Sequence, residues 1–228
     1  MTISTYGSVV GAQEGRPVAV DSLDSAGTEL LLFICTSNTC RSALGELVLR
    51  RGLAEVPGVR IASAGTRAHS GAVICHRVAE RYGGDRQPGD AAAHRSSPLT
   101  AGLLAEATLV LAAAQDVRAD ILRLAPEVQD RTYTMREAAY FGRDFAPGEP
   151  GDRADLVSHY AGHLQWARAF RNPMPTPRLR LRRARDGDAR DILDGHTHGR
   201  REHRHTLRDV ATTSAAILGQ LGRGAIVR

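Results

Sequence analysis

Residues 29–52 read ELLLFICTSNTCRSALGELVLRRG, and they join an apolar run to an amphipathic segment through a short polar loop. The run Glu29–Cys35 is nearly all apolar, which is typical of a strand buried on both faces of a parallel sheet. From Ser42 to Ala54, apolar side chains recur at helical spacing, and Gly52 lies near the end of the pattern. The stretch therefore predicts a strand, a tight loop and a helix in succession.

The same alternation of strand and helix continues along the chain. Further elements are predicted as strands at Val59–Ala64, Thr108–Ala112 and Arg131–Met135, and as helices at Ala72–Tyr82, Gln115–Leu124 and Arg200–Leu221. Strands and helices in strict turn indicate a single α/β domain with a parallel sheet and right-handed crossovers.

The domain is expected to occupy residues 29–222. Residues 1–28 carry no sustained periodicity and are predicted to be a flexible leader, and residues 223–228 a tail. Prolines interrupt the pattern over residues 142–190, which we interpret as an insertion with a helix at about 156–170.

The composition sets the class of protein. With 42% hydrophobic and 24% charged residues in 228, the chain is typical of a soluble globular protein. It has no apolar run of about 18 residues, no secretory signal and only three cysteines, so we expect a cytoplasmic protein with reduced thiols and no membrane partner. The net charge is +5, but the sequence contains no lysine, a bias typical of a GC-rich bacterial genome. Nucleic acid is therefore not the predicted partner.

The loop after the first strand carries the chemistry. Its backbone N–H groups and the following helix N-terminus would form an anion site. A cysteine in that field, Cys35, is favoured as a thiolate. Arg41, at the far side of the loop, can grip two oxygens of a tetrahedral anion. Together these groups predict a nucleophilic phosphoryl-transfer site.

These residues resemble the low-molecular-weight protein tyrosine phosphatase family, whose loop runs Cys-x-Gly-Asn-x-Cys-Arg-Ser-Pro. Residues 35–43 here read CTSNTCRSA. Ser63-Ala64-Gly65-Thr66 and His94-Arg95-Ser96 resemble other segments of the family. The resemblance covers about residues 29–140 and 190–222. It implies a flavodoxin-like, three-layer fold with a four-stranded parallel sheet of order 2-1-3-4 and helices on both faces.

The resemblance also implies roles for the loop. Cys35 would attack phosphorus and form a phosphocysteine, and Ser42 would help the thiolate leave. Asn38 would hold an unusual backbone conformation, and Cys40 could form a reversible disulfide with Cys35. The phosphate-binding residues would be Thr36, Ser37, Asn38, Thr39, Cys40, Arg41 and Ser42. Ser37 replaces the family's glycine and Ala43 its proline; a need for positive φ at Ser37 would strain the loop.

A proton donor is expected before the last helix, where the family often has Asp-Ile-Pro-Asp-Pro. The matching residues 191–196 read DILDGH, which makes Asp194 the expected catalytic acid and Asp191 the alternative. Both prolines are missing, so this segment is expected to be more mobile. His196 and His198 stand where the family has aromatic walls, and Tyr160, Trp166 or Phe170 could supply a wall instead.

No metal or cofactor is predicted. Structural zinc needs four ligands, and Cys75-His76 offers no convincing second pair to Cys35 and Cys40. Four histidines cluster near the last helix, but their polar setting favours solvated side chains: His196, His198, His203 and His205.

The sequence therefore predicts a cysteine-dependent phosphatase that hydrolyses phosphomonoesters, with protein phosphotyrosine as the expected substrate. Its partner would be a phosphorylated protein or a small phosphate ester. An arsenate reductase using the same loop is one alternative, although such enzymes usually relay oxidation through a later cysteine pair, which the sequence lacks. A catalytically weak module that recognises a phosphorylated partner is the other.

Overall fold

A computed structural model of the chain describes residues 28–82, 88–148, 155–175, 188–196 and 198–222. The predicted tail, all but the last residue of the predicted leader, and residues 149–154 and 176–187 of the predicted insertion lie outside the described residues.

The described strands form one parallel sheet with the order β2-β1-β3-β4, which confirms the expected order 2-1-3-4. The strands are β1 (Glu29–Cys35), β2 (Val59–Gly65), β3 (Ala107–Ala112) and β4 (Thr132–Thr134). In the register of the sheet, Cys35 at the end of β1 pairs with Gly65 at the end of β2. The segments that leave these two strands therefore begin side by side at the carboxyl edge.

The helices that surround the sheet are α1 (Arg41–Gly52), α2 (His76–Tyr82), α3 (Pro88–Ala93), α4 (Ala101–Glu106), α5 (Gln115–Leu124), α6 (Met135–Phe141), α7 (Leu156–Phe170) and α8 (Arg200–Leu221), with 3-10 helices at Pro126–Arg131 and Gly142–Asp144. The sequence predicts α1, α5, α7 and α8 and extends α2 back to Ala72. It misses α3, α4 and α6, because six or seven residues make fewer than two turns and leave no clear period.

Side chains of β1 alternate between two hydrophobic clusters, one on each face of the sheet. Leu31 and Phe33 belong to the cluster that includes α1, α6, α7 and α8. Leu30, Leu32 and Ile34 belong to the cluster that includes α4 and α5. Because a strand presents successive side chains to opposite faces, this division establishes three layers.

Helix α7 lies within the predicted insertion and is packed into the first of these clusters. Leu156, Val157, Tyr160 and Leu164 are all buried. The carboxylate of Glu29 accepts hydrogen bonds from the backbone N–H groups of Val157 at 2.7 Å and Ser158 at 2.6 Å. Since Glu29 begins β1, α7 begins at the amino edge of the sheet, opposite the edge where Cys35 lies. Within the described ranges, no helix has the length and hydropathy needed to cross a bilayer.

Candidate active site

The phosphate loop, residues 35–42, connects the carboxyl end of β1 to α1. Asn38 has φ of 55°, and among the described residues it is the one non-glycine residue with positive φ. Its side chain compensates for this conformation: Nδ2 donates to Ser42 Oγ at 2.9 Å and to Ser63 Oγ at 2.7 Å. Its Oδ1 accepts from the Ser97 backbone N–H at 2.8 Å. Asn38 therefore fixes the loop from inside, in agreement with the expectation from the sequence.

The position of Ser37 removes the concern about strain. Ser37 is exposed, and the positive φ falls on Asn38, one residue later. A side chain at residue 37 therefore requires no left-handed backbone.

Cys35 lies at the base of this loop and is 2% exposed. Its Sγ is 3.1 Å from Ser42 Oγ, and the backbone N–H of Asn38 donates to it at 3.3 Å. A backbone N–H and a hydroxyl therefore lie within hydrogen-bonding distance of this sulfur. The sulfur of Cys35 is thus held at the floor of the loop.

Further polar groups support the loop from behind. Ser63 Oγ donates to Glu46 Oε2 at 2.5 Å while it accepts from Asn38. His94 Nε2 is 2.8 Å from the carbonyl oxygen of Asn38, so Nε2 carries the proton and donates. The two segments that resemble the family outside the loop, around Ser63 and around His94, therefore act on the loop's backbone and side chains.

Gly65 is required where β2 passes the phosphate loop. A Cβ on this residue would lie 2.7 Å from the carbonyl oxygen of Thr36 and 2.8 Å from the backbone nitrogen of Asn38. Neither backbone atom can move without moving the loop. The absence of a side chain at residue 65 therefore allows the strand to support the loop closely.

Arg41 is buried, and its guanidinium is turned toward the mouth of the loop. Nη1 donates to the carbonyl oxygen of Ile192 at 3.1 Å, and Nη2 donates to Thr36 Oγ1 at 3.2 Å. Nη2 also donates to Asp194 Oδ2 at 2.7 Å, in an ion pair whose side chains are 5% and 40% exposed. The structure thus brings Asp194 to the loop that carries Cys35 and Arg41, although it lies 153 residues from Arg41 in sequence.

The two aspartates that the sequence left as alternatives have different surroundings. Asp191 Oδ1 accepts the backbone N–H of Gln115 at the start of α5, at 2.8 Å, so this carboxylate anchors the loop to the sheet edge. Asp194 faces Arg41 and the phosphate loop. Of the two, Asp194 is the carboxylate positioned to meet a group bound by Arg41.

The acid loop, residues 191–196, is held by hydrogen bonds although both family prolines are missing. The Ile192 N–H donates to the Ala113 carbonyl at 2.9 Å, and the Gly195 N–H donates to Thr206 Oγ1 at 3.0 Å. Gly195 is buried, and a Cβ there would lie 2.5 Å from the backbone of Glu202. The glycine therefore allows α8 to approach the loop closely. These contacts therefore oppose the mobility that the missing prolines predict for the acid loop.

The aromatic side chains proposed as walls do not line the site. Tyr160 is buried in the core, where its hydroxyl donates to the carbonyl of Ala138 at 3.1 Å. Trp166 and Phe170 lie further along α7 and pack on each other, with ring centroids 6.1 Å apart. Arg168, between them, bonds to Asp130 just before the amino end of β4. This part of α7 is therefore at the edge of the sheet opposite the phosphate loop.

A second group of side chains adjoins the loop, and the sequence did not predict it. Cys40, within the loop, has Sγ 3.2 Å from Nε2 of His203, and Cys75 Sγ is 3.6 Å from the same nitrogen. The ring of His196 packs edge-on against that of His203, with centroids 4.8 Å apart. None of the three cysteines forms a disulfide, and the sulfur of Cys40 faces the ring of His203.

Protonation within this group is uneven. The hydrogen bond between the two thiols lowers the pKa of Cys75 to about 5 and, together with burial, raises that of Cys40. Burial lowers the pKa of His203. The two thiols of the group therefore differ in acidity, and Cys75 is the more acidic of the two.

The burial of His203 corrects the expectation that the histidines around α8 are solvated. His203 is only 4% exposed. It lies on the buried stripe of α8 that continues through Leu207, Val210 and Ile217, at spacings of four, three and seven residues. That periodicity was present in the sequence and distinguishes His203 from His205, which is exposed. No pattern in the sequence indicated that Cys75 would lie beside Cys40 and His203.

The geometry defines a class of site. A cysteine nucleophile, an anion loop and an arginine with a facing aspartate, all at the carboxyl edge of a parallel sheet, form a cysteine-based phosphoryl-transfer centre. The profile of the family described as low molecular weight phosphotyrosine protein phosphatase matches residues 30–144. The chain belongs to this family and is a cysteine-based phosphatase.

Curated relatives include phosphatases of two substrate classes. A protein-arginine-phosphatase of Geobacillus stearothermophilus is 33% identical over 146 residues, which is 64% of this chain and 88% of that protein. The low molecular weight protein-tyrosine-phosphatase Etp of Escherichia coli is 33% identical over 140 residues, which is 60% and 88%. A solved structure of the YwlE arginine phosphatase with a phosphorylated active-site serine gives a TM-score of 0.55 at 21% identity, over 86% of this chain and 97% of that one, a likeness of fold.

Proposed function

We propose that this chain hydrolyses phosphorylated protein side chains, with Cys35 as nucleophile, Arg41 and the loop amides as the phosphate site, and Asp194 as general acid. The observation that carries the proposal is the convergence of Cys35, Arg41 and Asp194, with Asp194 2.7 Å from the arginine that would hold the phosphate. Phosphotyrosine is the first substrate class, in keeping with the family.

The reaction would proceed in two steps. Once the substrate phosphate has displaced it from Arg41, the Asp194 carboxylate takes up a proton from solvent. The Cys35 thiolate then attacks phosphorus, so that a P–S bond forms as the P–O bond to the leaving group breaks, and Asp194 gives that proton to the leaving oxygen. Water then attacks the phosphocysteine, Asp194 accepts a proton, and the P–S bond breaks to release inorganic phosphate. The hydrogen bond between Ser42 and Cys35 Sγ stabilises the departing thiolate.

Arg41 and the loop amides would stabilise the charge on the equatorial oxygens throughout. In the ground state Asp194 occupies one donor of Arg41. Substrate phosphate would take over that donor and leave the carboxyl group beside the leaving group. In this way the contact with Arg41 would hold the acid beside the phosphate site until substrate displaces it toward the leaving group.

Phosphoarginine is the second substrate class to test. Two observations support it: the relative from Geobacillus is a protein-arginine-phosphatase, and the rings that follow Asp194 are His196 and His198 rather than hydrophobic aromatics. A polar rim suits a guanidino group, which can hydrogen-bond to a carboxylate. Both substrates would bind through the same phosphate loop, so the residues at the rim of the site would decide between them.

The experiment measures phosphate release from matched peptides that carry phosphotyrosine, phosphoarginine or phosphoserine, with reduced protein. Cys35→Ser should abolish release from every substrate. Asp194→Ala should lower kcat by about 10²–10⁴-fold for poor leaving groups and far less for an activated aryl phosphate, which needs no proton. Asp191→Asn, which alters the other carboxylate of the same loop, should retain activity within a few-fold. Phosphopeptide binding by the wild-type protein without any phosphate release would instead identify a binding module, and thiol-dependent loss of arsenate would identify a reductase.

A further inference from the structure

Four potential metal ligands from four separate segments converge beside the phosphate loop. They are Cys40 in the loop, Cys75 just before α2, His196 in the acid loop and His203 on α8. One ligand atom from each lies within 4.8 Å of all the others. Three of these side chains are buried and His196 is exposed, so the group is enclosed on one side and accessible from solvent on the other.

The donor types and separations fit zinc. Tetrahedral Zn²⁺ bound by thiolate at about 2.3 Å and imidazole at about 2.0 Å places its ligand atoms about 3.3–3.8 Å apart. The two sulfur-to-nitrogen distances on His203, 3.2 and 3.6 Å, are close to this range. A set of two cysteines and two histidines is a zinc set, because thiolates disfavour hard cations and imidazole suits zinc.

Packing alone explains this arrangement less well. A buried imidazole needs a polar partner, and one sulfur would be enough to satisfy His203. Here Nε2 of His203 lies within 3.6 Å of both sulfurs, and the imidazole of His196, from a different segment, packs edge-on against the ring of His203.

We propose that Cys40, Cys75, His196 and His203 bind one Zn²⁺ ion, which ties the acid loop and α8 to the phosphate loop. In the bound state both sulfurs would be thiolates and both imidazoles neutral, so any thiol proton would be released to solvent on binding. His196 also donates its backbone N–H to Asp194 Oδ1 at 3.0 Å. A metal on His196 therefore restrains the segment that holds Asp194 against Arg41.

None of the four ligands is Cys35, so metal binding can be tested in a protein that lacks the nucleophilic thiol. The experiment uses the full chain with Cys35→Ser, reduced with a phosphine, so that the nucleophilic thiol cannot bind the probe metal. Co²⁺ replaces Zn²⁺ as a spectroscopic probe. We expect one equivalent of Co²⁺ to give thiolate-to-cobalt charge-transfer bands and intense tetrahedral ligand-field bands, which one equivalent of Zn²⁺ then removes.

Two ligand variants and one control complete the design, all in the Cys35→Ser background. Cys75→Ser and His196→Ala should each weaken Zn²⁺ binding by at least about tenfold, measured by competition with a chromophoric chelator. His196 is exposed, so its replacement should leave the fold intact even if Cys75→Ser does not. His205→Ala, an exposed histidine two residues from His203 on the same helix, should bind Zn²⁺ like its parent.

Thermal unfolding supplies a second readout. Because an ion that binds only the folded state stabilises it, Zn²⁺ should raise the Tm of the Cys35→Ser protein and of its His205→Ala derivative, and much less that of the His196→Ala derivative. The proposal is overturned if Co²⁺ gives no thiolate band in reduced protein, or if His196→Ala binds Zn²⁺ as tightly as His205→Ala does. Neither result would bear on phosphatase activity, which is measured with Cys35 intact.

Discussion

The ion pair between Arg41 and Asp194 leads to a prediction in which binding and catalysis change in opposite directions. In the structure, Nη2 of Arg41 donates to Asp194 Oδ2 at 2.7 Å, so the arginine that would bind phosphate already has an anionic partner. Substrate or product phosphate must displace that carboxylate. Replacing Asp194 with asparagine removes the charge and keeps the size of the side chain. We therefore expect Asp194→Asn to bind phosphate more tightly while it turns over more slowly.

The magnitude follows from the exposure of the two groups. Hydrogen bonds to charged groups contribute about 1.5–3 kcal/mol when buried, whereas exposed ion pairs contribute about 0.2–1 kcal/mol. Arg41 is 5% exposed and Asp194 is 40% exposed, so solvent screens one side of the pair. An intermediate value of about 1–2 kcal/mol corresponds to a roughly 5- to 30-fold lower Kd for phosphate, at about 1.4 kcal/mol per tenfold.

The assay is isothermal titration of inorganic phosphate into the Cys35→Ser protein with and without Asp194→Asn, since turnover is then excluded. The same Asp194→Asn change with Cys35 intact should lower kcat. Asp191→Asn is the matched control, because Asp191 bonds to the backbone of Gln115 and not to Arg41. A phosphate Kd that changes less than twofold in Asp194→Asn, or equally in Asp191→Asn, would refute the idea that the carboxylate competes for the arginine.

Two further predictions concern the supports of the site, and a third concerns Tyr133, a buried residue of β4. Gly65→Ala should displace the phosphate loop and lower kcat/KM by about 10²-fold, because its Cβ would lie within 2.8 Å of two loop backbone atoms. Gly102→Ala is the control and should be nearly neutral, because the nearest atom to its Cβ is 4.0 Å away. Asn38→Ala should lower the free energy of unfolding by about 3 kcal/mol in urea denaturation, since it leaves the Ser97 N–H without its acceptor and puts alanine at positive φ. Burial raises the pKa of Tyr133 from 10.0 to about 12, so the stability that its neutral hydroxyl contributes is full below pH 10 and is lost as the pH rises toward 12. Tyr133→Phe should therefore show a shallower loss of Tm over that range. An equally steep loss would count against a raised pKa at Tyr133.

Much of the fold could be predicted because local and global signals agree. The run Glu29–Cys35 is buried at every position, as a central parallel strand requires. The last helix was predicted with the bounds that the structure has. The short helices α3 and α6 escaped prediction because their stability comes from neighbours rather than from their own period. For α6, the signal was a reciprocal cap, in which Thr134 and Glu137 bond to each other's backbone N–H groups.

Departures from the family pattern were the hardest features to interpret from sequence. Replacement of proline by Gly195 predicted a looser acid loop, because a residue type reports only on its own backbone freedom. The structure adds the backbone of Glu202, which a Cβ at residue 195 would approach to 2.5 Å, and the hydroxyl of Thr206, which anchors the loop. The consequence of this substitution thus depends on α8, which begins five residues later.

The phosphate loop was determined by the sequence itself, because its parts are adjacent. Within residues 35–42, a strand end, an amide-rich turn, a cysteine and an arginine at the start of a helix dictate an anion site wherever that segment is placed. The partners of the loop come from distant parts of the chain and are decided by packing. Only the tertiary structure places Asp194 against Arg41, brings His94 and Ser97 to Asn38, and collects Cys75, His196 and His203 around Cys40. Such contacts join residues separated by up to 163 positions, and spacing in sequence carries no information about which side chains meet across a folded core.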